Sequence, residues 1–428
     1  MEWIVETDAL RLYNSVHCSL LTKKCIFAIK YYIPMKKIIF VLICCVTMFC
    51  ATANDGVFYA AGNQLIPITE TDISVKKEVL TLNRVGNHIE VSVYYEFYNP
   101  VGEKELLVGF EAEQPYNGPD PMDFFPKHPH IRNFKVIMNG ESLSFEIAHV
   151  ATGNYNADDN NYVFSKYYVD GKFLSWTRQQ IEDTLAAWDY PPGLPVDYVY
   201  HFKAKFHPGV NIIQHTYDFD LSSSVDEEYY FPYILTAANR WANHQIDNFQ
   251  LNINMGPCES FHILPEFFKS PDEWKILGRG KTSIDTTWGF TDGKETPVFH
   301  IQEGGLIFRK ANFHPDGELR IHKRRLWSFL WSWDNGDKDD AAALIETVKE
   351  QYHPLWIPDT SDNYSSITAE QRRILKNLPF AYRGYIFKTK SLQDFFESTE
   401  WYLPNPKYDG NMEVMTEEEK KWIEFWSN

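Results

Sequence analysis

The sequence predicts a multi-domain protein: a mainly antiparallel, sandwich-like β region with one helical insertion on the N-terminal side, and a small α-rich domain at the C-terminus. Three observations predict it. From Asn54 to about Arg325, apolar and polar side chains alternate with a period of two, which puts successive residues on opposite faces of a sheet. The alternating segments are joined by turn signals and not by helices, the pattern of stacked antiparallel sheets. Beyond Arg325 the period lengthens to that of a helix and helix-start residues appear. A chain of 428 residues, 44 % hydrophobic and 16 % aromatic, has ample material for packed cores, which excludes a disordered chain.

The first informative segment is Met35-Lys36-Lys37, followed by an apolar run of 13 residues from Ile38 to Cys50, then Ala51-Thr52-Ala53 before Asn54-Asp55-Gly56. A basic end, a short apolar stretch and a small-x-small site, in that order, read as a cleavable signal peptide over 35–53. The run is short of the roughly 20 apolar residues that a membrane anchor needs. Residues 1–34 have no place in that scheme, so translation is expected to begin at Met35; an unusually long charged leader is the alternative. Met48 and Phe49 stand where a lipid-anchored Cys50 would need small residues.

Cys18, Cys25, Cys44, Cys45 and Cys50 fall in the part expected to be absent, which leaves Cys258 alone and no disulfide. Core size and not covalent bridging is then expected to hold an exported fold together. Cys258 reads as a packed small residue, because no His or Asn motif flags it as a nucleophile. With residues 1–53 removed, 35 basic face 55 acidic side chains, a net charge of −20. Such a surface repels nucleic acid and anionic lipid, so the expected partners are neutral, cationic or sugar-like; cell-wall material or another exported protein is the expected candidate, with no membrane span after signal cleavage.

Ile89, Val91, Val93, Tyr95 and Phe97 share one face of a half-buried strand. Phe134, Val136 and Met138 lead into Asn139-Gly140, and Leu143, Phe145 and Ile147 follow, a hairpin signal because Asn-Gly accepts positive φ. Tyr198 to Phe206 alternate up to Pro208-Gly209, which turns the chain into Asn211 to Phe219; a further hairpin is expected from Leu306 to Ile321 around Pro315-Asp316-Gly317. Between the β halves, near 165–190, Ser175 to Leu185 reads helical and Pro191-Pro192 ends it. Asp339 to Tyr352 has helical spacing, and the proline-bounded stretch 353–358 is a stiff connector. In the final segment, Thr368 with Gln371 and Thr416 with Glu419 both fit the capping box that opens a helix.

The stretch Phe380-Ala381-Tyr382-Arg383-Gly384-Tyr385-Ile386-Phe387, with Leu392, Phe395, Phe396 and then Trp401-Tyr402-Leu403-Pro404, resembles the YARHG domain over about 359–428. Phe380 stands for the Tyr of the naming motif, and Tyr382-Arg383 for its Arg-His. The resemblance implies a small extracellular bacterial domain of the kind attached to peptidases and sensor kinases. The β region, through Tyr233-Ile234-Leu235-Thr236, Arg240-Trp241-Ala242-Asn243 and Phe249 to Ile253, is similar to an uncharacterised family that accompanies such domains in Gram-negative bacteria. Neither resemblance implies a reaction.

Zincin, nucleophile-elbow, Walker, dinucleotide and C-x-x-C motifs are absent after residue 53, which removes the motif-defined enzyme classes. No cofactor and no metal are expected. His128-Pro129-His130 sits in loop-like context without diagnostic metal-ligand spacing, and the same applies to His201, His207 and His215. Asp334 to Asp340 lacks the regular ligand spacing of a calcium loop and reads as a solvated helix start; Asp158 to Asn161 reads likewise. Aromatic clusters at Trp327, Trp331 and Trp333, and at Tyr155, Tyr162, Tyr167 and Tyr168, suit either core packing or sugar stacking. In the final segment the candidate ligand-binding face is Tyr382, Arg383, Tyr385 and Trp401, with Arg383 placed to pair with a carboxylate of a wall peptide. The competing reading makes Tyr385, Phe387 and Trp401 the core of that domain and Gly384 a positive-φ turn. Together these readings favour a non-catalytic exported binding or interaction protein of the cell envelope, with a cell-wall or peptide hydrolase as the alternative.

Overall fold

The computed structural model describes residues 65–67, 71–112, 120–151, 168–169, 172–187, 196–224, 227–286, 295–324, 345, 348–349 and 367–427. The chain divides into two units, and everything described belongs to the second, Ala60–Asn428. The signal segment 35–53, the clusters at 155–167 and 327–333, the acidic stretches 158–161 and 334–340, Pro191-Pro192 and the connector 353–358 lie outside the described residues. Of the helix expected over 339–352, Ile345, Val348 and Lys349 are described and are helical.

In chain order the strands and helices are β1 (Leu65–Pro67), β2 (Ser74–Val85), β3 (His88–Asn99), β4 (Lys104–Ala112), α1 (Pro121–Phe124), β5 (Ile131–Met138), β6 (Glu141–Leu143), β7 (Glu146–Ala151), β8 (Tyr168–Val169), β9 (Lys172–Phe173), α2 (Arg178–Ala186), β10 (Val196–Phe206), β11 (Gly209–Asp220), β12 (Glu227–Tyr233), β13 (Ile246–Asn254), β14 (Glu259–Ile263), β15 (Trp274–Asp285), β16 (Thr296–Phe313), β17 (Leu319–Arg324), α3 (Ala369–Tyr382), α4 (Lys390–Glu397) and α5 (Glu417–Phe425). A large sheet runs β12-β17-β14-β16-β13-β2-β3-β11-β5-β6, with β15 also on β16, and a 4-stranded sheet runs β1-β4-β10-β7. The large sheet is mixed, because β13 and β2 pair in parallel.

The alternation expected for 89–97 is present: Ile89, Val91, Val93, Tyr95 and Phe97 are all buried. The Asn139-Gly140 hairpin forms between β5 and β6, with φ of 50° and 90° at the two turn residues. It is shorter than expected, since Phe145 and Ile147 lie beyond β6, and β7 pairs with β10 in the other sheet. Two expected hairpins are not hairpins. β10 and β11 belong to different sheets, so Pro208-Gly209 is a corner, and β17 pairs with β12 and β14, not with β16. The reason is burial: Tyr198, Tyr200, Phe202, Ala204 and Phe206 on β10, and Ile213, His215, Tyr217 and Phe219 on β11, all turn inward. Two strands with that much apolar surface gain more by stacking face to face than by pairing edge to edge. Phe110 on β4 sits between the layers, with ring centroids 5.0 Å from Phe134, 5.3 Å from His215 and 5.8 Å from Tyr200.

The helical insertion is α2, opened by Thr177 in a complete capping box with Gln180. Thr368 and Thr416 open α3 and α5 with the boxes expected of them. The Arg240–Asn243 run fastens the parallel pair: the Ala242 amide donates to Ile73 O at 3.0 Å, and the Asn243 side chain accepts from Val75 N and donates to Val75 O. Trp241 is buried between Phe97 and Phe206 at the corner where the sheets meet.

A second core lies in the C-terminal part, built from Leu375, Leu378, Tyr382, Phe387, Phe396, Trp401, Trp422 and Trp426. Cys258 at the start of β14 packs against it. The two parts meet through side chains of β15 and β16 that donate to backbone carbonyls. Gln302 Nε2 reaches Tyr382 O and Leu403 O, each at 3.1 Å, Lys281 Nζ reaches Thr399 O at 3.1 Å, and Arg279 reaches Pro404 O at 2.5 Å.

Candidate functional site

The motif-bearing turn is a helix C-cap. Arg383 is the cap residue of α3 and Gly384 follows at φ +78°. The Tyr385 amide donates to Phe380 O at 3.0 Å and the Gly384 amide to Ala381 O at 2.8 Å, the two bonds of a Schellman motif. The apolar contact that accompanies this motif is the Phe380–Tyr385 ring pair at 6.1 Å.

That turn fixes where the four candidate ligand residues point. Tyr382 and Trp401 are 4 % and 1 % exposed and meet edge to face at 5.0 Å, which leaves neither ring a face for a ligand to stack on. Trp401 Nε1 donates to Val348 O. Arg383 makes a forked pair with Glu419, Nη1 to Oε1 at 2.5 Å and Nη2 to Oε2 at 2.7 Å, and also donates to Pro379 O and Val414 O. Glu419 in turn caps α5 by accepting the Thr416 amide. The guanidinium thus locks the end of one helix to the start of another. Tyr385 is half-buried against Phe387 and Tyr408, and its carbonyl accepts from Tyr402 Oη at 2.8 Å.

The β region gathers three histidines on one face of the large sheet, where His262 is the cross-strand partner of His322 and Ser260 that of His300. His262 Nε2 lies 3.0 Å from Asp285 Oδ2, and His322 Nδ1 contacts Glu227 Oε1. His300 sits between two serines, Nδ1 2.7 Å from Ser260 Oγ and Nε2 2.8 Å from Ser283 Oγ. These bonds set the carboxylates against two of the histidines and the serines against the third. Burial, with Lys281 and His262 adding to it, pulls the His300 pKa down to about 3, too weak a base to activate a hydroxyl at neutral pH.

The other sequence candidates are accounted for within the fold. His128 and His130 are buried, with His130 stacked on Phe219. His207 is exposed and pairs with Glu103, and burial pushes the Cys258 thiol up to about 12. Among the described residues there is no group of three or more His, Cys, Asp or Glu able to hold a metal ion. No described helix is long and apolar enough to cross a membrane.

Two open cavities do mark the surface of the β region. One, of about 590 Å³, has Phe267, Phe268 and Phe313 at its floor and the Lys310–Glu273 ion pair, Lys269 and His314 around it. The other, of about 440 Å³, lies across β2, β3, β11 and β5 and is lined mainly by hydroxyl, amide and carboxylate side chains. Sequence reasoning missed both, because their linings come from segments far apart in the chain.

Residues 356–427 match the YARHG domain, so the chain carries that domain at its C-terminus. The sequence matches no curated protein. Among solved structures, a candidate nutrient-binding protein of Legionella pneumophila is similar at 15 % identity, with 86 % of this chain and 97 % of that chain covered and a TM-score of 0.45. Baculovirus P35 is similar at 9 % identity, with 61 % of this chain and 99 % of that chain covered and a TM-score of 0.22.

Proposed function

We propose that this is a non-catalytic binding protein of the bacterial cell envelope, exported by the signal segment 35–53, with a β region over 54–352 that presents the ligand surface and a YARHG domain over 359–428 docked against it. The observation that carries this reading is the state of the ionisable groups. His262, His300 and His322, with the carboxylates and serines beside them, are paired inside the large sheet, whereas the open cavities of the β region are lined for contact. In this reading Tyr382, Arg383, Tyr385 and Trp401 act by building the domain and its docking surface. The link of YARHG domains to exported proteins supports the compartment, and the negative charge supports a neutral or cationic partner.

The competing reading, a cell-wall or peptide hydrolase, draws on the gathering of His262, His300 and His322. Co-sedimentation of the chain from Asn54 to Asn428 with purified cell-wall sacculi separates the two when both bound protein and soluble wall fragments are followed. The binding reading expects saturable co-sedimentation without fragment release. Release that saturates with substrate and disappears in His262→Ala would establish the hydrolase instead, and absence of any co-sedimentation would remove the wall as partner.

A further inference from the structure

We propose that the trough across β2, β3, β11 and β5 binds a linear, neutral, β-1,4-linked saccharide; this deepens the binding reading above and rests on it. The trough is a product of register. Thr81 is paired with Ser92, Ser92 with Thr216 and Thr216 with Lys135, so three short hydroxyl side chains lie in one row across the outer face. The adjacent row carries longer polar groups, Asn83 opposite Glu90 and Glu90 opposite Asp218. Short side chains beside long ones hollow the surface into the cavity of about 440 Å³.

A bulge completes one end. The pairing of β11 with β5 shifts between Thr216 and Asp218, and Asn133, the extra residue, takes φ 55°. Arg132 and Asn133 then both turn outward, and Asn133 Nδ2 donates to Asp218 Oδ2 at 2.6 Å while Arg132 binds Asp220. Lys135 is exposed and stands at the end of the hydroxyl row. Tyr94, two residues along β3 from Ser92 on the same face, is held by its bond to Glu96 and by Lys77 over its ring.

These groups select a ligand by chemistry. Hydroxyls donate and accept, and the Glu90 and Asp218 carboxylates keep acceptor capacity beyond the amide that each already accepts. Two carboxylates against one ammonium repel a polyanion and leave a ligand rich in hydroxyl donors. Four strands span about 14 Å at the usual strand spacing, with a polar group at each step. A β-1,4-linked chain is a flat, extended ribbon whose rings repeat at close to that step, and it lies along a flat row without bending.

Calorimetric titration of the chain from Asn54 to Asn428 with chitotetraose and cellotetraose tests this. Wild type is expected to saturate with one of the two probes, and Ser92→Arg, which fills the trough from an exposed strand position, is expected to weaken binding by about tenfold or more. Asp218→Asn, which keeps the shape and removes the charge, is expected to weaken it several-fold, while Lys388→Ala, at an exposed position of the C-terminal domain, leaves it unchanged. Binding by Ser92→Arg equal to that of a folded wild type overturns the proposal, and so does failure of both probes to saturate below about 10 mM. If the probes fail while sacculi still co-sediment, the trough is wrong and the binding reading stands.

Discussion

His215 is enclosed by aromatic rings, with centroids 5.7 Å from Tyr95, 5.3 Å from Phe110 and 6.1 Å from both Phe134 and Tyr217. Both of its ring nitrogens are buried without a hydrogen-bond partner, and desolvation lowers its pKa from 6.5 to about 3. The sign of the consequence follows from linkage. Between pH 6.5 and 3 the unfolded chain binds this proton and the folded chain does not, so the stability contribution is complete above 6.5 and declines as pH falls toward 3. At pH 5 the loss is about 2 kcal/mol from this residue alone. His215→Phe keeps the ring and removes both the proton site and the buried nitrogens. It is therefore expected to be more stable than wild type at pH 7.5 and to widen that margin at pH 5, by denaturant midpoints at the two pH values. A margin that stays constant with pH would show that His215 is not held neutral. Glu111 runs the other way: burial and Glu318 raise its pKa to about 7 against the pull of Arg240, so its neutral form favours the fold below that pH.

At the scale of elements, the end of α3 depends on a residue without a Cβ. Gly384 has φ +78°, and a Cβ there would come within 2.3 Å of Leu403 O and 2.7 Å of Asn405 N. Gly384→Ala is expected to destabilise the C-terminal domain by about 2–4 kcal/mol, combining the left-handed cost with displacement of the Leu403–Asn405 strap. Urea unfolding followed by fluorescence of Trp401, Trp422 and Trp426 reads it, and a wild-type midpoint would mean that the Schellman turn is absent. This turn also shows what the sequence discloses and what it withholds. Phe380 to Phe387 is recognisable as a motif, and Gly384 as a positive-φ position, because both are local properties. Whether Tyr382 and Trp401 face ligand or core is not local, since an aromatic ring has the same sequence signature in either place. The same division holds in the sheets. Alternation in β3, β10 and β11 was legible from single strands, and the Asn139-Gly140 turn from two residues. Partner choice was not: Pro208-Gly209 and Pro315-Asp316-Gly317 have turn chemistry, but long-range stacking decides whether the flanking strands pair. The trough lay hidden for the same reason, because Thr81, Ser92 and Thr216 become neighbours only through register, and their one sequence trace is a short hydroxyl residue on the polar side of three alternating strands.

Across the whole molecule, the question is whether the C-terminal domain moves independently of the sheets. The docking contacts argue that it does not. Gln302 is 5 % exposed, accepts from Arg279 Nε at 2.9 Å and donates to Tyr382 O and Leu403 O. It thereby ties β16 both to the Schellman turn and to the strap that packs over Gly384. Cys258 Sγ adds a weaker donor to the same Tyr382 carbonyl, at 3.4 Å. Replacing Gln302 with Leu keeps most of its volume but leaves two buried carbonyls without that donor, a cost of about 2–4 kcal/mol. Most of this cost falls on the junction, because the two cores on either side retain their own packing. Gln302→Leu is therefore expected to split one cooperative thermal transition into two. It is also expected to speed amide exchange around Leu403 to Asn405 by about tenfold to a hundredfold, while exchange within β3 and β11 stays at wild-type rates. If the variant still melts in one transition with unchanged exchange in the strap, the junction is carried by the Lys281 and Arg279 bonds and the apolar contact around Cys258, and the Gln302 bridge has no part in coupling the motif turn to the sheets.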